Sequence, residues 1–174
     1  MSDKIKVNRL TNANLYVNGK SLLGQAEEIT LPDIKHKLSE HKAIGMVGVM
    51  ELWAGIDKME AQIKWNSFYK DTMIEFGDPT KAISIQARGS LETYTSQGRT
   101  EQVPVVCYIT GMPKNFPMGN YKQHDNVEAI SQMTVTYCKM EINGEEVFEV
   151  DVLANIYKVG GVDILAKYKA NIGA

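Results

Sequence analysis

The chain has 174 residues, of which 44% are hydrophobic and 23% are charged, as is typical of a folded globular domain. Its formal net charge of -2 leaves a single copy without the basic surface that tight phosphate binding requires. No run approaches about 18 consecutive apolar residues, and residues 1–4 lead into no apolar signal segment, so neither a membrane anchor nor secretion is predicted. The expectation is one domain, residues 1–174, made in the cytoplasm.

The first third of the chain is predicted to alternate between short strands and loops. Residues 1–12 are polar and lack a clear period, so they are predicted to form a loose N-terminal arm. Residues 14–17 are predicted as a strand, and the Asn-Gly pair at 18–19 as a tight turn, because both residue types tolerate a positive φ. A strand region interrupted by Pro32 follows, and residues 39–52 are predicted as a long loop, since their glycines disfavour a helix.

The middle of the chain has the clearest periodicity. Residues 57–65 alternate between apolar and polar side chains, which predicts a strand with one buried face. A helix is predicted next, because Asn66 or Ser67 can cap its start. Tyr69, Met73 and Phe76 share one helical face, and Gly77 suits its C-terminal end. This is the one clear helix among the predicted strands.

The second half is predicted to consist of long antiparallel strands. Residues 83–95 and 103–109 also alternate and predict a hairpin. Residues 127–142 form the longest predicted strand; its apolar phase shifts by one residue near Tyr137, which predicts a bulge, and the Asn-Gly pair at 143–144 predicts a turn. Since strands and helices do not alternate, the predicted fold is mainly β, with antiparallel strands and one clear helix.

No combination of residues predicts a catalytic, cofactor or metal site. His36, His41 and His124 lack the spacing of a ligand set, and the sequence contains no HExxH, CxxC or phosphate-binding glycine motif. Cys107 and Cys138 lie in alternating strands and are predicted to be buried thiols in a reducing compartment. The protein is therefore predicted not to be an enzyme.

The long loop contains a contiguous apolar run, Ala-Ile-Gly-Met-Val-Gly-Val-Met, at residues 43–50. A soluble monomer rarely exposes such a patch, so the run predicts a contact with another chain. Several strands have one apolar and one polar face. In a monomer the polar face meets bulk water, whereas in a closed ring it lines a wet channel and the strand edges are covered. The sequence therefore predicts a building block of an assembly.

An ordered series of short segments points to one family. An early segment reads Leu-Thr-Asn-Ala-Asn-Leu-Tyr-Val-Asn-Gly, and a late one reads Tyr-Cys-Lys-Met-Glu-Ile-Asn-Gly-Glu-Glu. The full set is residues 10–19, 29–32, 45–46, 55–61, 137–151 and 155–163. Each segment alone is a weak signal, but in this order they cover nearly the whole chain. The series resembles the major tail tube proteins of contractile-tailed phages and the related R-type bacteriocins.

This resemblance implies a structural role. The implied fold of each subunit is an antiparallel β-sandwich or partly open barrel with one flanking α-helix. Subunits of the tail-tube type form hexameric rings that stack into a rigid tube inside a contractile sheath, and the inner sheets join around a lumen. In a phage the tube is a conduit for DNA, and the DNA passes through it without specific binding. In a bacteriocin the tube breaches the target envelope. The implied partners are further copies of the chain, the sheath protein, and the baseplate or tip and terminator proteins. The implied location is a virion or tail particle that is assembled in the bacterial host cytoplasm. No cofactor is implied.

The resemblance also implies which residues meet other subunits and which line the lumen. The apolar run is similar to the family's long loop, which packs on neighbouring subunits, although here it is less polar than the family pattern leads us to expect. The N-terminal arm and a C-terminal arm, residues 156–174, are implied to contact adjacent rings. The predicted contact residues are Ile44, Met46, Val47, Val49, Met50, Ile156 and Tyr157. The predicted lumen-lining residues are Lys58, Glu60, Gln62, Lys64, Ser84, Gln86, Arg88, Ser90 and Glu92.

Two other functions compete with the tail tube interpretation. A tube protein of a type VI secretion system shares the general architecture and carries effectors, but the order of the segments fits the phage family better. A monomeric ligand-binding or carbohydrate-binding β-sandwich requires a concave aromatic cluster, for which the tryptophans Trp53 and Trp65 are thin support. The oligomeric state separates these alternatives, because tube proteins assemble and the sandwich stays monomeric.

Overall fold

Twelve strands and two helices make up residues 5–173, the part of the chain that the computed structural model describes. The strands are β1 Val7–Val17, β2 Lys20–Ser21, β3 Ala26–Thr30, β4 His36–His41, β5 Met50–Ile56, β6 Met59–Trp65, β7 Ile83–Thr95, β8 Gly98–Pro113, β9 Ala129–Ile142, β10 Glu145–Asp151, β11 Ile156–Val159 and β12 Val162–Asp163. The helices are α1 Lys70–Phe76 and α2 Ala166–Ile172.

Ten of these strands form one antiparallel sheet, and β4 and β5 pair separately with each other. The main path of the sheet runs β12-β11-β10-β9-β8-β7-β1-β2, with β6 paired to β9 and β3 paired to β6. Within residues 5–173 the two ends of this path do not pair, so the sheet stays open. The predicted mainly β architecture is confirmed, and α2 adds a second helix to the one that was predicted.

Strand β9 is the branch point of the sheet. Its first half pairs with β6 and its second half with β10, while β8 runs along its other edge. The ladder between β8 and β9 shifts register, since Thr110 lies opposite Tyr137 and Gly111 opposite Val135. A Cβ atom on Gly111 would lie 2.0 Å from the Thr134 carbonyl oxygen, so only glycine fits this close approach. The bulge predicted near Tyr137 is therefore present.

One face of the sheet makes the hydrophobic core. The predicted alternation of β6 is confirmed, because its apolar residues from Met59 to Trp65 are all buried. The Trp65 indole N–H donates to Ser131 Oγ at 2.8 Å, and its ring meets Phe76 edge-on with 5.6 Å between centroids. This aromatic contact packs α1 against the core side of the sheet.

Helix α1 begins later than its sequence suggests. Its N-cap is Tyr69, and the Asn66 amide that was a candidate cap instead donates to the Gly24 carbonyl at 2.7 Å. Asn66 Oδ1 also accepts from the Tyr69 hydroxyl at 2.7 Å, so this side chain ties the helix start to the turn at Gly24. Gly77 ends the helix, as predicted, but with a right-handed φ of -77°.

Residues 7–12 differ from the loose arm expected for residues 1–12. They belong to β1 and pair with the end of β7, where Leu10 lies opposite Leu91. The register shifts between Leu10 and Ala13, and this irregularity breaks the period-two pattern that identifies a strand. Residues 1–4 of the expected arm lie outside the described residues.

The other two segments predicted as loop or arm also contain regular structure. The loop predicted at residues 39–52 is shorter in the structure and covers residues 42–49, because the flanking residues belong to β4 and β5. The C-terminal arm contains β11, β12 and α2, and β11 pairs with β10 in the main sheet. Both segments therefore consist largely of regular secondary structure.

Candidate assembly surfaces

The first surface is the assembly hairpin, which we define as residues 36–56. Its two strands pair only with each other, and residues 36–54 are all exposed. Ile44 and Val47 at the tip have relative exposures of 107% and 108%, so they make essentially no contact within the chain. The other predicted contact residues of the hairpin are also exposed; these are Met46, Val49 and Met50. The apolar tip is thus entirely available to a second molecule.

Aromatic contacts hold the base of the assembly hairpin against the body. The Trp53 indole N–H donates to His36 Nδ1 at 3.1 Å. The Tyr157 ring lies 6.4 Å from the Trp53 ring and 6.1 Å from the His36 ring. Ile156 and Tyr157, both predicted as contacts between subunits, are half-buried, and Tyr157 packs on the hairpin of its own chain. Tyr157 therefore positions the hairpin from within the same subunit.

A second exposed apolar region lies next to this hairpin base. A groove of about 510 Å³ runs between β5 and the C-terminal segment, with Trp53, Ile156, Ile164 and Tyr168 among its lining residues. Of its lining side chains, Val152, Ile164 and Tyr168 are exposed. Other exposed apolar side chains of residues 152–172 are Leu153, Val159, Val162 and Ile172. The hairpin and the C-terminal segment consequently form neighbouring surfaces suited to contacts with other chains.

The polar face is the face of the main sheet that points away from the core. The strand registers place the predicted lumen residues of β6 and β7 on this same face, although the two strands are not neighbours. In β6, Glu60 lies opposite Thr134 of β9, which lies opposite Met112 of β8. In β7, Ser84 lies opposite Thr110, two residues before Met112 on the same strand. The two predicted sets therefore form parts of one continuous surface.

Most lysines of the polar face are paired with carboxylates. Lys58 and Lys114 both contact Glu60, and their hydrogen bonds lower the pKa of that carboxyl to about 2, with Lys114 the larger cause. Lys139 lies 2.7 Å from Glu141, and the resulting hydrogen bond raises the lysine pKa. Further pairs on the same face are Lys64 with Glu27 and Lys158 with Glu149. The surface is highly charged, but its opposite charges are matched locally.

Glu92 departs from the exposed position that its alternation predicts. Its side chain is buried, and its carboxylate accepts from the Tyr94 hydroxyl at 2.6 Å and from Arg99 Nη1 at 2.7 Å. These hydrogen bonds, with Tyr94 the larger cause, lower the pKa of the Glu92 carboxyl. The Glu92 side chain therefore links β7 to β8 near the turn of their hairpin, and neighbouring side chains cover it.

The polar face also contains three tyrosines that were not predicted to lie on it. Tyr16, Tyr108 and Tyr137 line a shallow groove of about 290 Å³ together with Ser84 and Thr110. A sequence pattern that divides residues only into apolar and polar counts tyrosine as apolar. Such a pattern assigns these three side chains to the core and not to the polar face. The signal that could have found them is strict alternation, because Tyr16 lies between the buried Leu15 and Val17.

Arg88 lies at the edge of this tyrosine groove. Its guanidinium carbon is 5.4 Å from the centroid of the Tyr16 ring, within the range of a cation–π contact. With the Gln86 amide turned to accept, its oxygen lies 3.0 Å from both Nε and Nη2 of Arg88. The side chain is exposed, and among residues 5–173 no carboxylate lies within 4.0 Å of it.

The described residues contain no group of side chains suited to a metal ion, and both of their cysteines are buried. No group of three or more His, Cys, Asp or Glu side chains within residues 5–173 could hold a metal ion. Cys107 and Cys138 are buried, and desolvation raises the pKa of Cys138 to about 12, so its thiol stays protonated at neutral pH. In this same part of the chain, every helix is too short or too polar to cross a membrane.

Comparison with known proteins agrees with the resemblance drawn from the ordered segments. The family model described as phage tail tube protein FII matches residues 7–173. The tail tube protein of Escherichia phage P2 is 31% identical over 169 residues, which cover 95% of this chain and 96% of that protein. The major tail tube protein of Serratia phage KSP20 is 24% identical over 152 residues, 86% of each chain.

Solved structures share the fold. The sheath/tube terminator of an extracellular contractile injection system, PVC, in the extended state matches with a TM-score of 0.53 and 12% identity, covering 74% of this chain and 92% of that one. The PVC sheath-tube complex in the extended state matches with a TM-score of 0.52 and 11% identity, covering 74% and 87% of the two chains. The match of the family model to nearly the whole chain and the identity to a phage P2 protein lead to one conclusion: this chain belongs to the phage tail tube protein FII family.

Proposed function

We propose that this protein is the subunit of the inner tube of a contractile phage-type tail, in which hexameric rings stack around a continuous lumen. The observation that carries the proposal is the assembly hairpin, whose apolar tip is uncovered in the isolated chain. A tail tube protein that is similar along almost its whole length supports the same conclusion. The protein acts by assembling, and no enzymatic activity is part of its role.

The assembly hairpin supplies the contact between copies. Its exposed residues, among them Ile44 and Val47, bury their apolar surface against a different surface of the next subunit. Such a contact is heterologous and closes into a ring when the rotation between subunits allows it. The C-terminal segment, residues 156–173, presents further apolar side chains for contacts between rings.

The polar face lines the lumen. It lies opposite the core, so α1, which packs on the core side through Phe76, is directed to the outside of the tube. The lysines of the polar face are matched by carboxylates, for example Lys139 by Glu141. DNA binds tightly where many cations are free to neutralise phosphates, and a matched surface instead lets it pass without specific binding.

The assembled tube interacts with the other parts of a tail. Solved neighbours with this fold are named as a sheath/tube terminator and as a sheath-tube complex, which supports a sheath around the tube and a terminator at its end. A baseplate or tip completes the other end. The protein is thus a component of a virion or tail particle, and it assembles in the host cytoplasm.

Electron microscopy of the purified protein, with its mass in solution, tests the proposal. Hollow tubes or hexameric rings are the expected result, and a map of the tube at side-chain resolution shows which face lines the lumen. A strict monomer at high protein concentration contradicts self-assembly. A map with the polar face on the outside contradicts the lumen assignment while leaving the tube itself in place.

A further inference from the structure

We propose that Arg88, supported by the Tyr16 ring, is a phosphate contact that the lumen presents to the backbone of a passing nucleic acid. The inference rests on the proposed placement of the polar face in the lumen. The ligand chemistry is a phosphodiester, and the contact is independent of base sequence because it involves no base edge.

The Arg88 side chain is held in place before any ligand binds. The Tyr16 ring lies beneath the guanidinium at 5.4 Å, and with the Gln86 amide turned to accept, its oxygen lies 3.0 Å from Nε and Nη2. Within residues 5–173 Nη1 makes no hydrogen bond, and Nη2 keeps one N–H beyond the one directed to Gln86. A planar guanidinium that is already ordered loses little side-chain entropy when it binds phosphate.

The surroundings of Arg88 are electrically neutral. Asn14 and Val106 lie opposite it on the two neighbouring strands, and Gln86 and Ser90 flank it on its own face of β7. Beyond Val106 the next strand carries Glu141, two strand spacings or about 10 Å away. The Glu141 carboxylate is also paired with Lys139 at 2.7 Å, so its charge is already matched.

The described lysines of the polar face are opposed by carboxylates. They pair with Glu60, Glu27, Glu141 or Glu149. Arg9, on the same face, lies opposite Glu92 in the strand register, but that carboxylate is buried and already accepts from Arg99 and Tyr94. Arg88 therefore differs from the paired lysines in having a positive charge that is available to an incoming anion.

Co-sedimentation of assembled tubes with a labelled ten-nucleotide single-stranded DNA tests this inference. Wild-type tubes are expected to retain the oligonucleotide at low salt, and Arg88→Gln tubes to release most of it. The plot of log binding constant against log salt becomes shallower in Arg88→Gln by about 0.7 for each phosphate that the variant no longer neutralises. Lys70→Gln on α1 makes the same change in net charge on the core side of the sheet and keeps the wild-type binding.

Two further probes identify the source of the phosphate. An oligonucleotide of the same sequence with an uncharged methylphosphonate backbone is expected not to bind. Equal binding of the charged and uncharged oligonucleotides overturns the inference, as does equal binding by Arg88→Gln and Lys70→Gln tubes. Displacement of the DNA by inorganic phosphate at an equal phosphate concentration identifies a free-anion site and also overturns it.

The map of the same tubes separates failure of this inference from failure of the proposed function. Tubes with Arg88 in the lumen and unchanged DNA binding in Arg88→Gln leave the tail tube function intact and remove only the phosphate contact. Tubes with Arg88 on the outer surface contradict the lumen assignment, and the inference with it. A thermal unfolding temperature equal to that of the wild type verifies that each variant is folded.

Discussion

Trp53 and His36 are joined across the base of the assembly hairpin by a hydrogen bond of 3.1 Å from the indole N–H to Nδ1. Tyr157 packs against both rings, so three aromatic side chains from β4, β5 and β11 connect the hairpin to the main sheet. The orientation of the apolar tip depends on this small cluster.

Replacing His36 with alanine is expected to loosen the assembly hairpin without unfolding the body. Removing one hydrogen bond and one ring–ring interaction costs about 1 kcal/mol, which corresponds to about fivefold faster amide exchange in residues 36–56. Hydrogen exchange measured by mass spectrometry checks this. His41→Ala, at the end of β4 away from Trp53, is the matched control. Unchanged exchange in His36→Ala would show that the cluster does not hold the hairpin.

Replacing both Val47 and Val49 with aspartate is expected to give a folded monomer that no longer assembles. The two side chains are exposed, so the free energy of unfolding should change by less than about 0.5 kcal/mol, whereas a contact between copies would bury the new charges. Sedimentation velocity and electron microscopy measure assembly. Ile74→Asp, an equally drastic change at an exposed position on α1, should still form tubes. Normal assembly of the double variant would remove the hairpin tip from the interface.

Replacing Ile63 with alanine is expected to lower the free energy of unfolding by about 2–5 kcal/mol. Its side chain is 0% exposed in the core face of β6, so truncation removes buried apolar surface and leaves a cavity. Its neighbour Gln62 points to the opposite, polar face, and Gln62→Ala should cost less than about 0.5 kcal/mol. Urea unfolding of the two variants compares the faces directly. Equal losses would contradict the assignment of the two faces.

Glu60 should make the stability of the protein dependent on pH in the acid range. Its pKa falls from 4.5 to about 2 in the folded chain through hydrogen bonds from Lys114 and Lys58. A depressed pKa stabilises the folded state above pH 4.5, and this contribution is lost as the pH falls toward 2. The difference in thermal unfolding temperature between wild type and Glu60→Gln should therefore shrink across that range. A difference that is constant with pH would contradict the ion pairs; Glu40→Gln, a carboxylate change on the exposed hairpin, is the control.

Cys107 and Cys138 should resist thiol reagents in the native protein. Both side chains are buried and desolvation raises both thiol pKa values, that of Cys138 to about 12, so little thiolate is available. A chromogenic disulfide reagent should label neither thiol in the folded protein and both after unfolding in urea. Rapid labelling of the native protein would contradict their burial.

The alternation of apolar and polar residues along the sequence predicts a strand correctly where that strand is regular. Residues 57–65 predict β6 because Met59, Ala61, Ile63 and Trp65 all face one core. Residues 7–12 fail the same test because a register shift interrupts the pattern. The extent of β8 was also underestimated, since its first residues are polar and exposed and only their pairing with β7 makes them a strand.

The sequence carries a clear signal for some of the candidate surfaces and a weak one for others. The hairpin tip was found because contiguous exposed apolar residues are rare, and this signal is local in sequence. The polar face could be predicted strand by strand, but its continuity across β6, β9, β8 and β7 depends on pairings between distant segments. The burial of Glu92 depends on Arg99 and Tyr94 folding over it, which no period along one strand contains.

The branching of the sheet at β9 has a mechanical consequence. The assembly hairpin continues through residues 57–58 into β6, and the C-terminal segment follows β10, and both of these strands pair with the same edge of β9. A load applied to either surface is therefore transmitted to one strand, as shear along its hydrogen-bond ladders. Pulling the two surfaces of one chain apart therefore strains the ladders of β9 as well as the direct contact of Tyr157 with Trp53, so the chain resists stretching between the two surfaces by which it would hold its neighbours.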